Sequence, residues 1–436
     1  MKIAVIGMGK IGLPLAVQYA RKGHEVVGVD INAATVQSIN EGIEPFPEEA
    51  HLQEYLTDVI QNGKLKATLN YQEAISDADA IVVVVPLFVD LNAQPDFRAM
   101  DSATENIGNH LKPGALVCYE TTLPIGTTRN RFTPALEKLT GMRVGEDFSV
   151  VFSPERVFTG RIFSDLRKYP KIVGGVTQEC TRKGEIFYES VLDFDNRSDL
   201  TKPNGVWCVQ SSESAEFVKL AETTYRDVNI ALANQFAMYA DSIGQNIYEV
   251  IEAANSQSYS HLHQPGISVG GHCIPIYPQF YLWNDNKASI VKVARDLNKK
   301  MPNYVIEQLE SVVGSLKEKV ILILGISYRP NVKETAFSGV FDLVQEVENR
   351  GGKCQVIDPL FTKEEIEAMR LSVFDGKKEK INAIILHTAH QEFRNFEFGE
   401  FSSNEIVYDG RNFLASGGNY DKKKFSALGG PVIGVN

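Results

Sequence analysis

Short apolar runs alternate with longer stretches of helical spacing through the first two hundred residues. Lys2–Ile6, Glu25–Val29, Ala80–Val85, Leu116–Tyr119 and Ser149–Phe152 are each brief and rich in aliphatic residues. Such runs suit parallel strands covered on both faces. With helical stretches between them, they predict a doubly wound α/β domain over residues 1–199.

The pattern then changes. From Ser211 to Ile243 apolar positions recur at helical spacing, with no Gly or Pro before Gly244. Ser211 or Ser212 can cap this helix, which is too long for a routine crossover. More helix is expected near 246–255 and 287–316, around a loop at 255–278 rich in His, Ser, Gly and Pro. Residues 200–315 therefore read as a helical middle domain. At Val320 the strand pattern restarts. Val320–Leu324, Cys354–Ile357, Ala383–Leu386 and Ile406–Tyr408 predict a second α/β domain over 316–436. No repeat between the two α/β parts is visible in the residues. The expected class is α/β, with two Rossmann-like doubly wound domains joined by a helical domain that contains one long helix.

Composition narrows the function. The 436 residues suit roughly three domains. A net charge of -11 argues against a general nucleic-acid binder, which needs a basic face. The five cysteines lie far apart, with no C-x-x-C pair. That is a reduced, cytoplasmic pattern rather than a disulfide framework. The most apolar run, Ile81–Val89, has nine residues and contains Pro86. A membrane helix needs about twenty, so no membrane partner is expected. The start reads as a strand and not a signal peptide.

Two loops carry candidate chemistry. Gly7-Met8-Gly9-Lys10-Ile11-Gly12 follows the first strand directly and opens a helix. Gly7 permits the turn, Gly9 lets a pyrophosphate approach, and Gly12 lets helix and strand pack closely. Asp30 follows eighteen residues after Gly12, where it can accept both ribose hydroxyls and repel a 2′-phosphate. NAD is therefore the expected cofactor. The second loop, Pro265–Pro275, places three glycines and two prolines around Cys273. Most free cysteines only pack, but this backbone can bring amides near a thiolate. His261, His263, His272 and Cys273 could instead suggest zinc. No carboxylate sits at ligand spacing, and no metal is expected. His387 and His390 flank a strand end and read as polar packing.

Taken with Gly270-Gly271-His272-Cys273-Ile274-Pro275, the NAD loop makes the chain resemble the UDP-glucose/GDP-mannose dehydrogenase family. These are nucleotide-sugar 6-dehydrogenases. Further stretches match in order: Thr121–Thr128, Ser153-Pro154-Glu155-Arg156, Glu216–Lys219, Leu324–Pro330 and Asp358-Pro359. The resemblance implies a third domain that holds the nucleotide diphosphate of a UDP-sugar and a middle helix that makes a homodimer. It implies oxidation of a 6-alcohol to a carboxylate with two NAD. Cys273 would capture the aldehyde and then carry a thioester. Lys219 would stabilise the oxyanion, Thr122 would position water or the 6-hydroxyl, and Glu155 would be the base in hydrolysis. Gly7, Gly9, Lys10, Ile11, Gly12, Asp30, Pro86 and Thr122 would bind NAD. Glu155, Arg156, Lys219, Arg226, Gly266, Gly270, Tyr328 and Arg329 would contact the sugar nucleotide.

This chain departs from the family pattern around that pocket. The oxyanion-donating Asn is Thr223, a shorter donor. The Asp four residues after the cysteine is Tyr277, a poor base at neutral pH. The Arg of the R-x-S segment is Ala336, and one loop glycine is Ser268. Arg226 or Glu222 could compensate. His272 and Tyr225–Ile230 resemble the branch acting on UDP-N-acetylhexosamines, which favours UDP-N-acetylmannosamine or UDP-N-acetylglucosamine over UDP-glucose. The product would be a uronic acid donor for a surface polysaccharide. Two rivals remain: an NAD-binding dimer with partial or lost turnover, and a hydroxyacid dehydrogenase that needs neither Cys273 nor the third domain.

Overall fold

A computed structural model describes the chain except residues 48, 91, 397, 399–400, 402–405, 415–424 and 431–436. The first sheet comprises β1 (Lys2–Ile6), β2 (Glu25–Val29), β3 (Leu65–Thr68), β4 (Ala80–Val83), β5 (Leu116–Tyr119), β6 (Ser149–Phe152), β7 (Lys171–Gly175) and β8 (Val206–Cys208). Its order is β8-β7-β6-β5-β4-β1-β2-β3. Neighbours run parallel except β6 and β7. The order reverses between β1 and β4, and such a switch point opens a ligand crevice at the carboxyl ends of the strands. Pairing of β4 stops at Ile6↔Val83 because β1 ends at the glycine turn, so Val84 and Val85 belong to a loop.

Helix α1 (Gly12–Arg21) packs on this sheet, as does α2 (Gln178–Val191). One core cluster unites Ile3, Val5, Leu13, Val17, Val82, Val151 and Tyr188. The long helix is α3 (Ser212–Ile243), ended by Gly244 at φ 67°. It is followed by α4 (Ile247–Asn255), α5 (Tyr277–Asn284) and α6 (Ser289–Val313).

The second sheet contains β9 (Val320–Leu324), β10 (Lys353–Ile357), β11 (Ala383–Leu386), β12 (Ile406–Asp409) and β13 (Phe425–Ala427). It is parallel throughout, in the order β10-β9-β11-β12-β13. Ile321, Ile323 and Ile385 on one face share a core with Ala237, Ala240, Ile247, Met301 and Val305 of the helices. The described residues thus form two compact units: Met1–Glu222 with Gln279–Asp285, and Thr223–Pro278 with Asn286–Asn436.

The two sheets share a device that the residues did not reveal as a repeat. In the first, Gly7 N donates to Val29 O at 2.8 Å and Met8 N to Asp30 Oδ2 at 2.8 Å. In the second, Gly325 N donates to Ile357 O at 2.8 Å and Ile326 N to Asp358 Oδ2 at 2.6 Å. Gly7 and Gly325 take φ of 94° and 93°. Each first strand therefore turns at a glycine and is tied to an acid ending its neighbour. The carboxylates differ in environment. Asp30 is half-buried, whereas Asp358 is buried and also accepts from Ser327 N, Leu360 N and His390.

Burial opposes ionisation of Asp358, but His390 and the backbone donors win and hold its pKa below the usual carboxylate value. Its contribution is therefore present above about pH 4 and is lost on further acidification. Asp358→Ala should cost about 3 kcal/mol in urea unfolding, because it strands buried amides. Asp30→Ala should cost clearly less. Equal losses would show that burial does not distinguish the two ties.

Candidate active site

A Cβ on Gly12 would stand 1.8 Å from the Gly7 carbonyl oxygen, so only glycine lets α1 sit this close to the turn. A Cβ on Gly9 would meet nothing within 4 Å, and the backbone there is open to a ligand. Helix α1 begins with no side-chain cap and no acid in its first turn. Its N-terminal dipole and amides suit a pyrophosphate. Lys10 and Ile11 lie half-buried at the same turn. The Asp30 oxygens accept from Met8 N and, at 2.9 Å, from Asn32 N, and each has a further lone pair for a ribose hydroxyl. Pro86 follows β4, and Thr121 Oγ1 donates to the neighbouring Val85 O at 2.7 Å. These residues fit a dinucleotide at the switch point.

The loops after β5 and β6 meet the first turns of α3. Glu216 is completely buried. Its carboxylate accepts from Gly126 N at 2.5 Å, Thr128 N at 2.9 Å and Thr128 Oγ1 at 2.6 Å. Burial pushes its pKa up to about 7, against these hydrogen bonds, which pull it down. One turn further along, Lys219 Nζ donates to Glu155 O at 2.6 Å. Arg156 pairs with Glu222 and donates to Pro170 O at 3.2 Å. Thr122 is buried in the loop that Glu216 holds from its far end. The first unit thus brings Glu155, Arg156 and Lys219 together. Behind Glu155 lies a buried group of Lys171, Glu120, Tyr188 and Tyr19.

The second unit carries the cysteine loop. Gly270 and Gly271 lie against Tyr328. A Cβ on Gly270 would meet Tyr328 Cβ at 2.6 Å and Phe337 O at 2.8 Å. Gly271 N donates to Ala336 O at 2.8 Å, and His272 Nε2 meets Glu334 Oε1 at 2.5 Å. Gly266 N donates to the buried Asn234 at 2.9 Å. Ser268 Oγ lies 3.2 Å from His387 Nε2. Arg329 Nε donates to Tyr328 OH at 3.0 Å. Cys273 is exposed, and its carbonyl accepts from Tyr277 N at 2.9 Å at the start of α5. By contrast, Cys118, Cys180 and Cys354 are buried. Cys208 is exposed, but partial burial and then Glu185 push its thiol up to about 11. Thr223 and Arg226, one and two turns beyond Lys219, also belong to this unit. Thr223 is buried and Arg226 exposed.

Sequence reading missed Glu216 as an anchor, along with Lys171 and Glu120. Glu216 did leave a signal: it lies three residues before Lys219, on the same helix face.

Comparison with known proteins places this geometry. The UDP-glucose/GDP-mannose dehydrogenase family matches through its NAD binding domain at residues 1–192, its central domain at 213–300 and its UDP binding domain at 322–416. The chain belongs to that family. It is an NAD-dependent nucleotide-sugar dehydrogenase with NAD as its cofactor. It is 35% identical to a UDP-N-acetyl-D-mannosamine dehydrogenase of Pyrococcus horikoshii, over 95% of this chain and 96% of that one. It is 31% identical to an NDP-N-acetyl-D-galactosaminuronic acid dehydrogenase of Ralstonia nicotianae, covering 93% and 94%. The solved UDP-D-ManNAc dehydrogenase from P. horikoshii superposes with TM-score 0.89 at 32% identity, covering 99% of this chain and 100% of that one.

Two predictions follow from this geometry. Native Glu216 binds its proton more tightly than the unfolded chain, because its pKa is raised to about 7 from 4.5. Stability should therefore fall as pH rises between those values, by about 3 kcal/mol in all. Glu216→Gln should flatten that slope in unfolding midpoints measured from pH 5 to 7.5. An unchanged slope would remove Glu216 as its source. Separately, Asp30→Ser should raise NADP turnover relative to NAD by at least about tenfold. An unaltered ratio of kcat/KM values would show that Asp30 does not read the ribose.

Proposed function

We propose that this enzyme oxidises the 6-hydroxyl of a UDP-N-acetylhexosamine, UDP-N-acetylmannosamine foremost, to the uronic acid. The observation that carries the covalent route is Cys273, an exposed thiol in a glycine-walled loop. The names of the similar dehydrogenases support an N-acetylated sugar.

NAD, when held at the Gly7–Gly12 turn, would supply the hydride acceptor for each of two oxidations. The 6-alcohol first loses a hydride and a proton to become an aldehyde. Cys273 sulfur adds to that carbon and forms a thiohemiacetal, with Lys219 and Thr223 stabilising the oxyanion. Loss of a second hydride leaves a thioester. Thr122 positions water, and Glu155 takes its proton as the oxygen bonds to the acyl carbon. The carbon–sulfur bond then breaks and the uronic acid leaves. Arg156, Arg226, Gly266, Gly270, Tyr328 and Arg329 hold the sugar nucleotide. Tyr277 is a poor base at neutral pH, so a different group receives the first proton.

The enzyme works as a homodimer in the cytoplasm and supplies a uronic acid donor for a polysaccharide. Leu232, Phe236, Tyr239 and Ile243 form an exposed apolar stripe along α3, at the spacing of a helix–helix seam, which supports the dimer. Among the described residues no helix is long and apolar enough to cross a membrane.

The test is NADH formed per sugar consumed, with UDP-N-acetylmannosamine, UDP-N-acetylglucosamine, UDP-N-acetylgalactosamine and UDP-glucose. Two NADH are expected with the first and at most one after Cys273→Ala, because the first oxidation precedes capture by the thiol. One NADH per sugar would mean oxidation stops at the aldehyde. Full turnover without the thiol would overturn the thioester route.

A further inference from the structure

Lys171, the first residue of β7, is a polar residue inside a strand, and its side chain is buried. Its Nζ donates to Glu120 Oε2 at 2.8 Å and also contacts Glu155 Oε1. Glu120 Oε1 accepts from Tyr188 OH at 2.7 Å and Tyr19 OH at 3.3 Å. The Tyr188 ring centroid lies 4.7 Å from Lys171 Nζ. Cys118 and Lys219 also act electrostatically on Lys171. One buried cation is thus shared between a carboxylate fully inside the core and one at the edge of the site.

Desolvation pulls Lys171 below the ordinary lysine value, and Glu120 opposes it. We place the proton on nitrogen. A neutral amine here would leave two carboxylates in the interior with no cation between them, which costs more than the buried ammonium. The tyrosine hydroxyls have a single role in this arrangement. They occupy the second oxygen of Glu120 and so hold its first oxygen on Lys171. Nothing in this chain of contacts is needed for the sheet itself, since apolar residues at these positions would pack without a desolvation cost.

We propose that Lys171 is a positioning residue for Glu155, orienting its carboxylate to take the proton of the water that hydrolyses the Cys273 thioester, with Glu120 setting how strongly it does so. This rests on the thioester reading given above. In that step the water oxygen bonds to the acyl carbon and its proton passes to Glu155. The carbon–sulfur bond breaks, and the sulfur leaves as thiolate and recovers the proton. The two neighbours act with opposite sign. Removing the ammonium makes Glu155 a carboxylate without its cation, and its pKa rises. Removing the Glu120 charge leaves the whole ammonium to Glu155, and its pKa falls.

The experiment uses the full-length enzyme with UDP-N-acetylmannosamine, or whichever sugar nucleotide turns over. It follows the NADH burst, product formation from pH 5 to 9, and the intact mass of the protein after quenching. Lys171→Met should keep the first-turnover burst and slow product formation at least about tenfold, with the sugar adduct accumulating on Cys273. Its acid limb should move up by about one pH unit, Glu120→Gln should move it down, and Lys171→Arg should restore much of the rate. Shifts of the same sign in both variants, or none, would overturn the proposal. So would burst and product slowed alike in step with a lowered Tm, which marks a structural role alone. If Lys171→Met does not fold, Glu120→Gln and Lys171→Arg still decide the sign. A wild-type enzyme that never carries the adduct would overturn the thioester reading itself, whereas an adduct with unmoved limbs would overturn only the role of Lys171.

Discussion

A carboxylate with no access to solvent holds the candidate site in register. Glu216 sits in the second turn of α3 and accepts hydrogen bonds from both ends of the Gly126–Thr128 turn. A carboxyl group so deeply buried is tolerable only when each donor is aimed correctly. The helix therefore has one rotation at this point. Each residue of an α-helix advances by about 100°, so a slip of one position would turn Lys219 away from the Glu155 carbonyl. The anchor and the lysine are one turn apart for that reason, and the loop that carries Thr122 is held by the same contact.

The fold was legible where strands are continuous apolar runs and where glycine is sterically required. Ile3–Ile6 and Ile321–Leu324 read as buried strands because they are buried on both faces. Leu65–Thr68 and Lys171–Gly175 did not, since each contains a lysine and the second ends in two glycines. Patterning treats such residues as surface or turn. Here Lys171 is interior because two acids neutralise it, and its partner Glu120 lies 51 positions away in the chain. The anchor at Glu216 has the same character, 88 positions from Thr128. Local spacing reveals neither pairing, because the compensating charge or donor comes from a distant segment. The glycine loop and Cys273 stood out because their neighbours are unusual within a few residues.

The departures from the family pattern look different once the backbone is considered. Ala336 lacks the arginine side chain, yet its carbonyl holds Gly271. Tyr277 replaces a carboxylate, yet its amide ties the Cys273 carbonyl into the first turn of α5. Ser268 fills a glycine position, and the space comes from Gly339, where a Cβ would lie 2.2 Å from Ser268 Cβ. The hydroxyl then reaches His387, which burial keeps neutral by pulling its pKa down to about 3. The frame of the cysteine loop is thus supplied by main chain and by the side chains of Asn234, Glu334 and His387, while the charges around it have changed.

The paired glycine–acid ties also divide labour between the two sheets. In the first, the acid leaves part of its carboxylate at the surface. In the second, Asp358 is committed to the amides of Ile326, Ser327 and Leu360 and to His390. A carboxylate buried among these internal partners is closed to a guest. The same hinge therefore leaves an acid open to a ligand in one half of the protein and serves as mortar in the other. A nucleotide settling on the second sheet has to be gripped by other groups, so selectivity for the sugar carrier and selectivity for the redox partner can be altered independently.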